Sequence, residues 1–229
     1  MLTTLTFIAV LATAVADWVA VAKGWRMIET LAKPATMVLL FGYLVQAGNQ
    51  PSLPLICFGV GLIFSLLGDI CILGSRGGFP NRWFLPGLAA FLLAHVAYII
   101  GLNTLLGNSL SIWAIGIGIL LALTTARVLK RVISGIREKG FQRLLVPVVT
   151  YAMVITIMLL SAFLTIYRVE WKAAAAGLVT LGAALFYFSD LILAWNMFVK
   201  PIRNGRLINM IAYHLGQIAL ITGAVIQFG

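Results

Sequence analysis

The chain has 229 residues, 62% of them apolar and only 10% charged, so it cannot form the charged surface that a soluble domain of this size needs and must be solvated by lipid. Its formal net charge of +10 would suit a nucleic-acid partner, but the positions of the basic residues assign that charge to membrane topology instead.

A helix crossing the hydrocarbon core needs roughly 20 mostly apolar residues. Seven short polar breaks divide the sequence into eight such stretches, at about 2–22, 31–48, 53–74, 83–105, 110–130, 146–167, 172–198 and 207–228. No stretch is left for a soluble domain, so residues 1–229 read as a single integral membrane domain. The first span has no Lys or Arg before it and its basic flank behind it, and it reads as a retained span rather than a cleaved leader. Asp17, inside that span, lies six residues from Lys23 and reads as an interfacial partner of that lysine, with no role in a site. In span three, Cys57 and Cys71 are fourteen residues apart, about 21 Å along a helix and too far to bridge each other. The breaks carry turn chemistry, including Gly48-Asn49-Gln50-Pro51, Gly77-Gly78-Phe79-Pro80-Asn81, Gly107-Asn108-Ser109 and Pro201 followed by Asn204-Gly205. Continuous apolar runs without two-residue alternation strongly favour helices over a barrel, and the expected fold class is an all-α polytopic helical bundle of about eight transmembrane helices.

Fourteen of the sixteen basic residues lie in or beside odd-numbered breaks; only Arg168 and Lys172 fall in an even one. That bias predicts odd loops in the cytoplasm and both termini outside. The compactness of the loops points to a bacterial inner membrane.

Ionisable groups inside spans cost at least about 2.5–3.5 kcal/mol on insertion scales, so each needs a partner or a purpose. Counting from the nearest basic residue on the same helix, Asp69 lies seven residues above Arg76, Asp190 ten above Lys200, His214 eight above Arg206, Tyr151 eight above Arg143 and His95 thirteen above Arg82. All then lie roughly 10–20 Å from one face, so that helices three, four, six, seven and eight share a polar chamber. Ser65 with Asp69, His95 with Tyr98, and Asn209, Tyr213 and Gln217 each form one stripe. Gly61, Ser65 and Gly68 offer a small-residue surface for close approach of another backbone. Pro34 and Pro147 open even-numbered spans, and Asp69 precedes His95 by 26 residues as Asp190 precedes His214 by 24. This spacing suggests a parallel 4+4 internal repeat. Three functions suit buried acids so placed: a hydrolase, a proton-coupled secondary transporter or channel, and a metal site. The last is disfavoured because the ligands come from four helices with no paired spacing, and no metal or cofactor is expected.

Several motifs taken together resemble the YhhN family of eight-helix membrane proteins, which includes the animal lysoplasmalogenases. They are Lys33-Pro34, Ser65-Leu66-Leu67-Gly68-Asp69, Ala90-Phe91-Leu92-Leu93-Ala94-His95 with Tyr98, Gly182-Ala183-Ala184-Leu185-Phe186 with Ser189-Asp190, and Tyr213 with Gln217. The resemblance runs from about residue 30 to the C-terminus. It implies hydrolysis of the vinyl ether bond of a lysoplasmalogen, a single-tailed ether phospholipid with an ethanolamine or choline head, to a fatty aldehyde and the glycerophospho compound. Such a bond is cleaved by protonation at carbon and water capture of the oxocarbenium ion, for which one carboxylic acid and one carboxylate suffice. Asp69 and Asp190 are the expected pair. His95, Tyr98, Tyr213 and Gln217 are expected to orient water or the carboxylates, with His214 ranked lower because it does not match the motifs. Lys33, Arg76 and Arg82, with backbone N–H groups of Gly74-Ser75-Arg76-Gly77-Gly78, sit where a phosphate head would lie.

Overall fold

The structure is a computed structural model that describes residues 1–74, 80–105 and 112–229, with the side chains of Gly74 and Trp113 left aside. The described residues form eight long helices and no strand. Helix α1 (Leu2–Lys23) turns into α2 (Arg26–Ala47) through Gly24, whose positive φ of 72° lets its N–H return to the Ala20 carbonyl. Then come α3 (Leu53–Gly74), α4 (Phe84–Leu102), α5 (Ile112–Glu138), α6 (Leu145–Thr165), α7 (Ala173–Ala194) and α8 (Gly205–Phe228). A 3-10 turn at Gln142–Leu144 leads into α6, and α7 ends in one π-helical turn at Trp195–Val199 before Pro201 stops it. Seven of these helices, all but α5, are long and apolar enough to cross a membrane. The eighth expected span is the start of α5, whose second half carries Arg127, Lys130, Arg131 and Arg137 and continues as helix past the expected end.

Polarity is inverted relative to a soluble protein. Leu5, Ile8, Leu11, Val15 and Val19 lie exposed on α1, while Lys33, Ser65, Asp69, His95, Ser189, His214 and Gln217 are buried. That distribution suits lipid outside and a polar interior. Helices adjacent in sequence pack together within each half, and the two halves are joined by α4 against α6 and by α8 against α1, α2 and α3.

A tight, backbone-on-backbone helix crossing is α7 on α8. A Cβ on Gly182 would fall 2.5 Å from the Leu220 backbone nitrogen and 2.7 Å from the Gly216 carbonyl oxygen. The small-residue surface on α3 is used differently from the expectation. Gly61 and Gly68 face the rings of Tyr98 and Phe91, so it is aromatic side chains of α4, not a backbone, that fill the space. Pro34 also departs from its expected place, because α2 begins eight residues before it. The charged first turn of α2 is helical, and Pro34 sits inside the helix, where its absent N–H withholds one intrahelical hydrogen bond.

The two basic residues of the loop between α6 and α7 have specific tasks. Arg168 is buried and donates to the Leu102 carbonyl at 2.8 Å and to Asn103 Oδ1 at 2.7 Å, closing the C-terminus of α4. The Lys172 ammonium donates to the Ile226 carbonyl at 2.6 Å, closing α8. Cations at the C-terminal ends of helices satisfy orphan carbonyls and complement the helix dipole.

Gly177 on α7 has nothing within 4 Å of an added Cβ, which makes it a control for Gly182 on the same helix. Gly182→Ala is expected to lose about 1–3 kcal/mol through overpacking against backbone. Gly177→Ala should be neutral or gain a few tenths, on the order of its helix-propensity advantage. Unfolding in detergent, followed by circular dichroism, compares the two.

Candidate active site

The site begins with α2, which presents Arg26, Glu29 and Lys33 at i, i+3 and i+7 on one face. The Lys33 ammonium lies 2.9 Å from Asp69 Oδ1 on α3, with side-chain exposures of 5% and 0%, so the pair is dry. The Tyr213 hydroxyl on α8 donates to the other oxygen, Asp69 Oδ2, at 2.8 Å. Lys33 also stands over the Tyr213 ring, 5.3 Å from its centroid. One carboxylate therefore holds three helices through an ammonium and a phenol.

Asp190 on α7 has a different environment. The Tyr151 hydroxyl of α6 donates to Oδ2, while Oδ1 lies 3.4 Å from Ser189 Oγ, whose own proton is directed at the Phe186 carbonyl at 2.7 Å. Among the described residues no cation lies within ion-pair distance of Asp190. Asn209 of α8 donates to the Ser189 carbonyl at 2.6 Å and ties α8 to α7 beside it.

Asp69 and Asp190 line one chamber of about 410 Å³, together with Lys33, Tyr213, Asn209 and Asn196. Arg26, Glu29 and Arg206 line it as well; the Arg206 guanidinium lies 2.7 Å from Glu29 Oε1, and its side chain is 68% exposed against 6% for Glu29. A smaller space of about 100 Å³ among α3 to α7 adjoins the chamber and has apolar walls that include Leu88, Val128 and Val148. The two share Ile72, Phe91, Asp190, Leu193 and Met197, so Asp190 stands where polar walls give way to apolar ones.

The other residues singled out from the sequence are placed as follows. Tyr98 donates to Gln217 Oε1 at 2.8 Å, and Gln217 Nε2 donates to Ser65 Oγ at 2.9 Å, which forms a fully buried chain one turn from Asp69 and outside the chamber lining. His95 is buried behind Tyr151, with ring centroids 5.3 Å apart; its Nδ1 is bonded to the Phe91 carbonyl and its Nε2 has no hydrogen-bond partner. Arg82 packs on the neighbouring Trp83 ring at 5.5 Å and is not among the residues lining the chamber. Arg76 and the loop from Ser75 to Phe79 lie outside the described residues. His214 belongs to a separate cluster, where its Nδ1 accepts from Trp18 Nε1 at 3.1 Å.

Asp17 is part of that cluster. It is fully buried, 3.9 Å from His214 Nδ1, and not at the interface with Lys23. Six residues correspond to about 600° of helical turn, which points the two side chains to different faces. Three residues that line the chamber, Arg26, Glu29 and Arg206, were absent from the expected site, as was Tyr151. Glu29 and Arg26 precede the span predicted at 31–48 and read as loop; Tyr151 stood out only as one polar residue at the right depth.

These features define a class, a polytopic helical membrane protein with two dissimilar buried acids around one chamber. Comparison with known families matches residues 28–224 to the YhhN family, and the chain belongs to that family. Similar curated proteins are mouse lysoplasmalogenase TMEM86B, 29% identical over 165 residues that cover 72% of this chain and 61% of the mouse protein, and human lysoplasmalogenase TMEM86B, 26% identical with the same coverages. The rat protein of that name is 26% identical over 206 residues, 88% of this chain and 74% of its own. This chain thus spans about three fifths of the length of the mouse and human relatives it matches. No solved structure matches it.

Removing one member of a buried pair leaves an uncompensated charge, so Lys33→Met is expected to cost about 3–5 kcal/mol. The double variant Lys33→Met with Asp69→Asn should recover most of that loss. A double-mutant cycle of unfolding in detergent measures the coupling, and additive losses would contradict it.

Proposed function

We propose that this chain is a lysoplasmalogenase-like hydrolase, which cleaves the vinyl ether bond of a lysoplasmalogen to a fatty aldehyde and a glycerophosphoethanolamine or glycerophosphocholine. The observation that carries this reading is the unequal pair of acids in one chamber: Asp69 is held beside an ammonium, Asp190 beside a phenol. Membership of the YhhN family and relatives named lysoplasmalogenase support it.

In this mechanism Asp190, which has no cation in contact among the described residues, carries the proton and delivers it to the alkenyl carbon distal to the ether oxygen. The double bond supplies the electron pair, and an oxocarbenium ion forms. Asp69, ion-paired with Lys33, faces that cation across the chamber and lowers its energy, as fixed charges in a dry site do. Water adds to the cationic carbon and loses its proton to the Asp190 carboxylate, which restores the acid. The resulting hemiacetal passes its hydroxyl proton to the glycerol oxygen as the carbon–oxygen bond breaks, and the aldehyde and the glycerol alcohol separate. One water is consumed and no cofactor is needed. Tyr151 fixes the acid through its hydrogen bond, and Tyr213 fixes Asp69.

The lipid would lie with its tail in the apolar space among α3 to α7 and its head toward Arg26 and Arg206, on the face where the basic loops gather. By the positive-inside bias that face is cytoplasmic.

Purified protein in detergent, given 1-alkenyl lysophosphatidylethanolamine, is expected to release aldehyde. Asp190→Asn should lower turnover by about 10²–10⁴-fold, the usual worth of a general acid. Asp69→Asn should also be severely impaired. A folded wild-type protein that releases no aldehyde from either head class would overturn the hydrolase reading and favour a transporter with the same acids.

A further inference from the structure

The hydrolysis proposed above needs a water at the cationic carbon, and most residues expected from the sequence to hold one are otherwise engaged. Tyr98 and Gln217 bond each other outside the chamber lining, His95 is buried behind Tyr151, and Tyr213 lines the chamber but gives its proton to Asp69. Asn209 of α8 stands nearer the acid. It lines the chamber, is 5% exposed, and donates through Nδ2 at 2.6 Å to the carbonyl of Ser189, the residue before Asp190. A carbonyl only accepts, so this bond decides which end of the amide is nitrogen. It commits that nitrogen to α7 and leaves Oδ1 as the acceptor that Asn209 has to offer the chamber.

The two oxygens of Asp190 are also unlike. Oδ2 receives the Tyr151 hydroxyl, whereas Oδ1 lies 3.4 Å from Ser189 Oγ, whose proton is directed at the Phe186 carbonyl. The acid form therefore carries its proton on Oδ1, and once that proton has gone to the alkenyl carbon, Oδ1 is an acceptor able to take a new one. Asp190 Oδ1 and Asn209 Oδ1 are then two acceptors tied together through Ser189. A water that gives one O–H bond to each keeps its lone pairs for the carbon. The neutral amide suits this place because it accepts a hydrogen bond without competing with Asp190 for the proton.

We infer that Asn209 is the water-positioning residue of this site and makes the capture of the cation selective for water. The water oxygen bonds to the cationic carbon, and the π electron pair of the oxocarbenium returns to the ether oxygen. One proton passes to Asp190 Oδ1; the other stays on the new hydroxyl, held by Asn209 Oδ1. The inference rests on the vinyl ether hydrolysis proposed above and concerns only which nucleophile is taken.

The test offers a second nucleophile. Methanol has one O–H bond to give to Asp190, and its methyl group would then lie where Asn209 Oδ1 accepts a hydrogen. Capture of methanol leaves a mixed methyl acetal, which mass spectrometry separates from the aldehyde. The full chain in detergent is given 1-alkenyl lysophosphatidylethanolamine in a fixed water–methanol mixture, and the initial ratio of acetal to aldehyde is compared with that from acid hydrolysis of the same lipid without protein. The wild type is expected to give a ratio about tenfold below the protein-free reaction, the size of one hydrogen bond. Asn209→Leu should return the ratio to the protein-free value and slow aldehyde release about tenfold. Asn209→Ala, which removes the same acceptor without adding bulk, is carried beside it in case leucine misfolds. If Asn209 serves only to tie α8 to α7, both products fall together and the ratio stays, which would overturn the inference. A wild-type ratio equal to the protein-free one overturns it whatever the variants do. Turnover with unselective capture defeats this inference alone, whereas a folded wild type that gives neither aldehyde nor acetal defeats the hydrolase reading and this inference with it.

Discussion

The Lys33–Asp69 ion pair is the constraint from which the rest of the site follows. Two opposite charges are held 2.9 Å apart with almost no exposure. Removing each from water costs several kcal/mol, and only close contact together with further hydrogen bonds offsets that. The further bond comes from Tyr213, so α2, α3 and α8 must meet at one point. That requirement accounts for the enclosure of α8, which contacts α1, α2, α3 and α7. It also accounts for the tight glycine-lined crossing on α7, which lets α8 sit deep enough to reach Asp69.

The pair also makes two similar acids unequal. In a 4+4 arrangement α3 and α7 are corresponding helices, as are α2 and α6. The first half gives its aspartate a cation from α2; the second gives its aspartate a phenol from α6. A symmetric bundle with an ammonium beside each acid would hold two carboxylates and no acid, and one with a phenol beside each would lack a fixed charge. In the mechanism proposed above, protonating a carbon and stabilising the cation that results are separate tasks, and the two acids meet different partners, Lys33 of α2 and Tyr151 of α6.

How much of this was legible in the sequence depended on depth and on the solvent assumed. Apolar run length gave all eight helices, with ends within a few residues except at α2 and α5, where charged helix extends past the span. Counting residues from basic flanks placed Asp69 and Asp190 at one level because helical rise is uniform. The method was blind to rotation, and that is where it erred. Asp17 was assigned to Lys23 although they share no face, and His95, Tyr98 and Gln217, at suitable depth, pack behind the chamber wall instead of in it. Glu29 and Arg206 escaped for another reason. They lie 177 positions apart at the interface, where charge is ordinary, and nothing local marks one as the partner of the other.

The two exceptions to the charge asymmetry sharpen the topological reading. A bias of fourteen to two could reflect a weak rule with scattered violations, but Arg168 and Lys172 are both occupied at helix C-termini, on α4 and α8, the last helix of each half. Arg168 is buried, whereas Lys172 is exposed and still bonded to the last turn of α8. Setting them aside, the basic residues gather at the end of the bundle where the mouth of the chamber opens beside Arg26 and Arg206. In the reading proposed above, the charges that would meet a phosphate head lie at the same end as the basic loops. A lipid drawn from the adjoining leaflet would present its head to that end and its tail to the apolar space beyond Asp190, leaving the bond between them at the level of the acids.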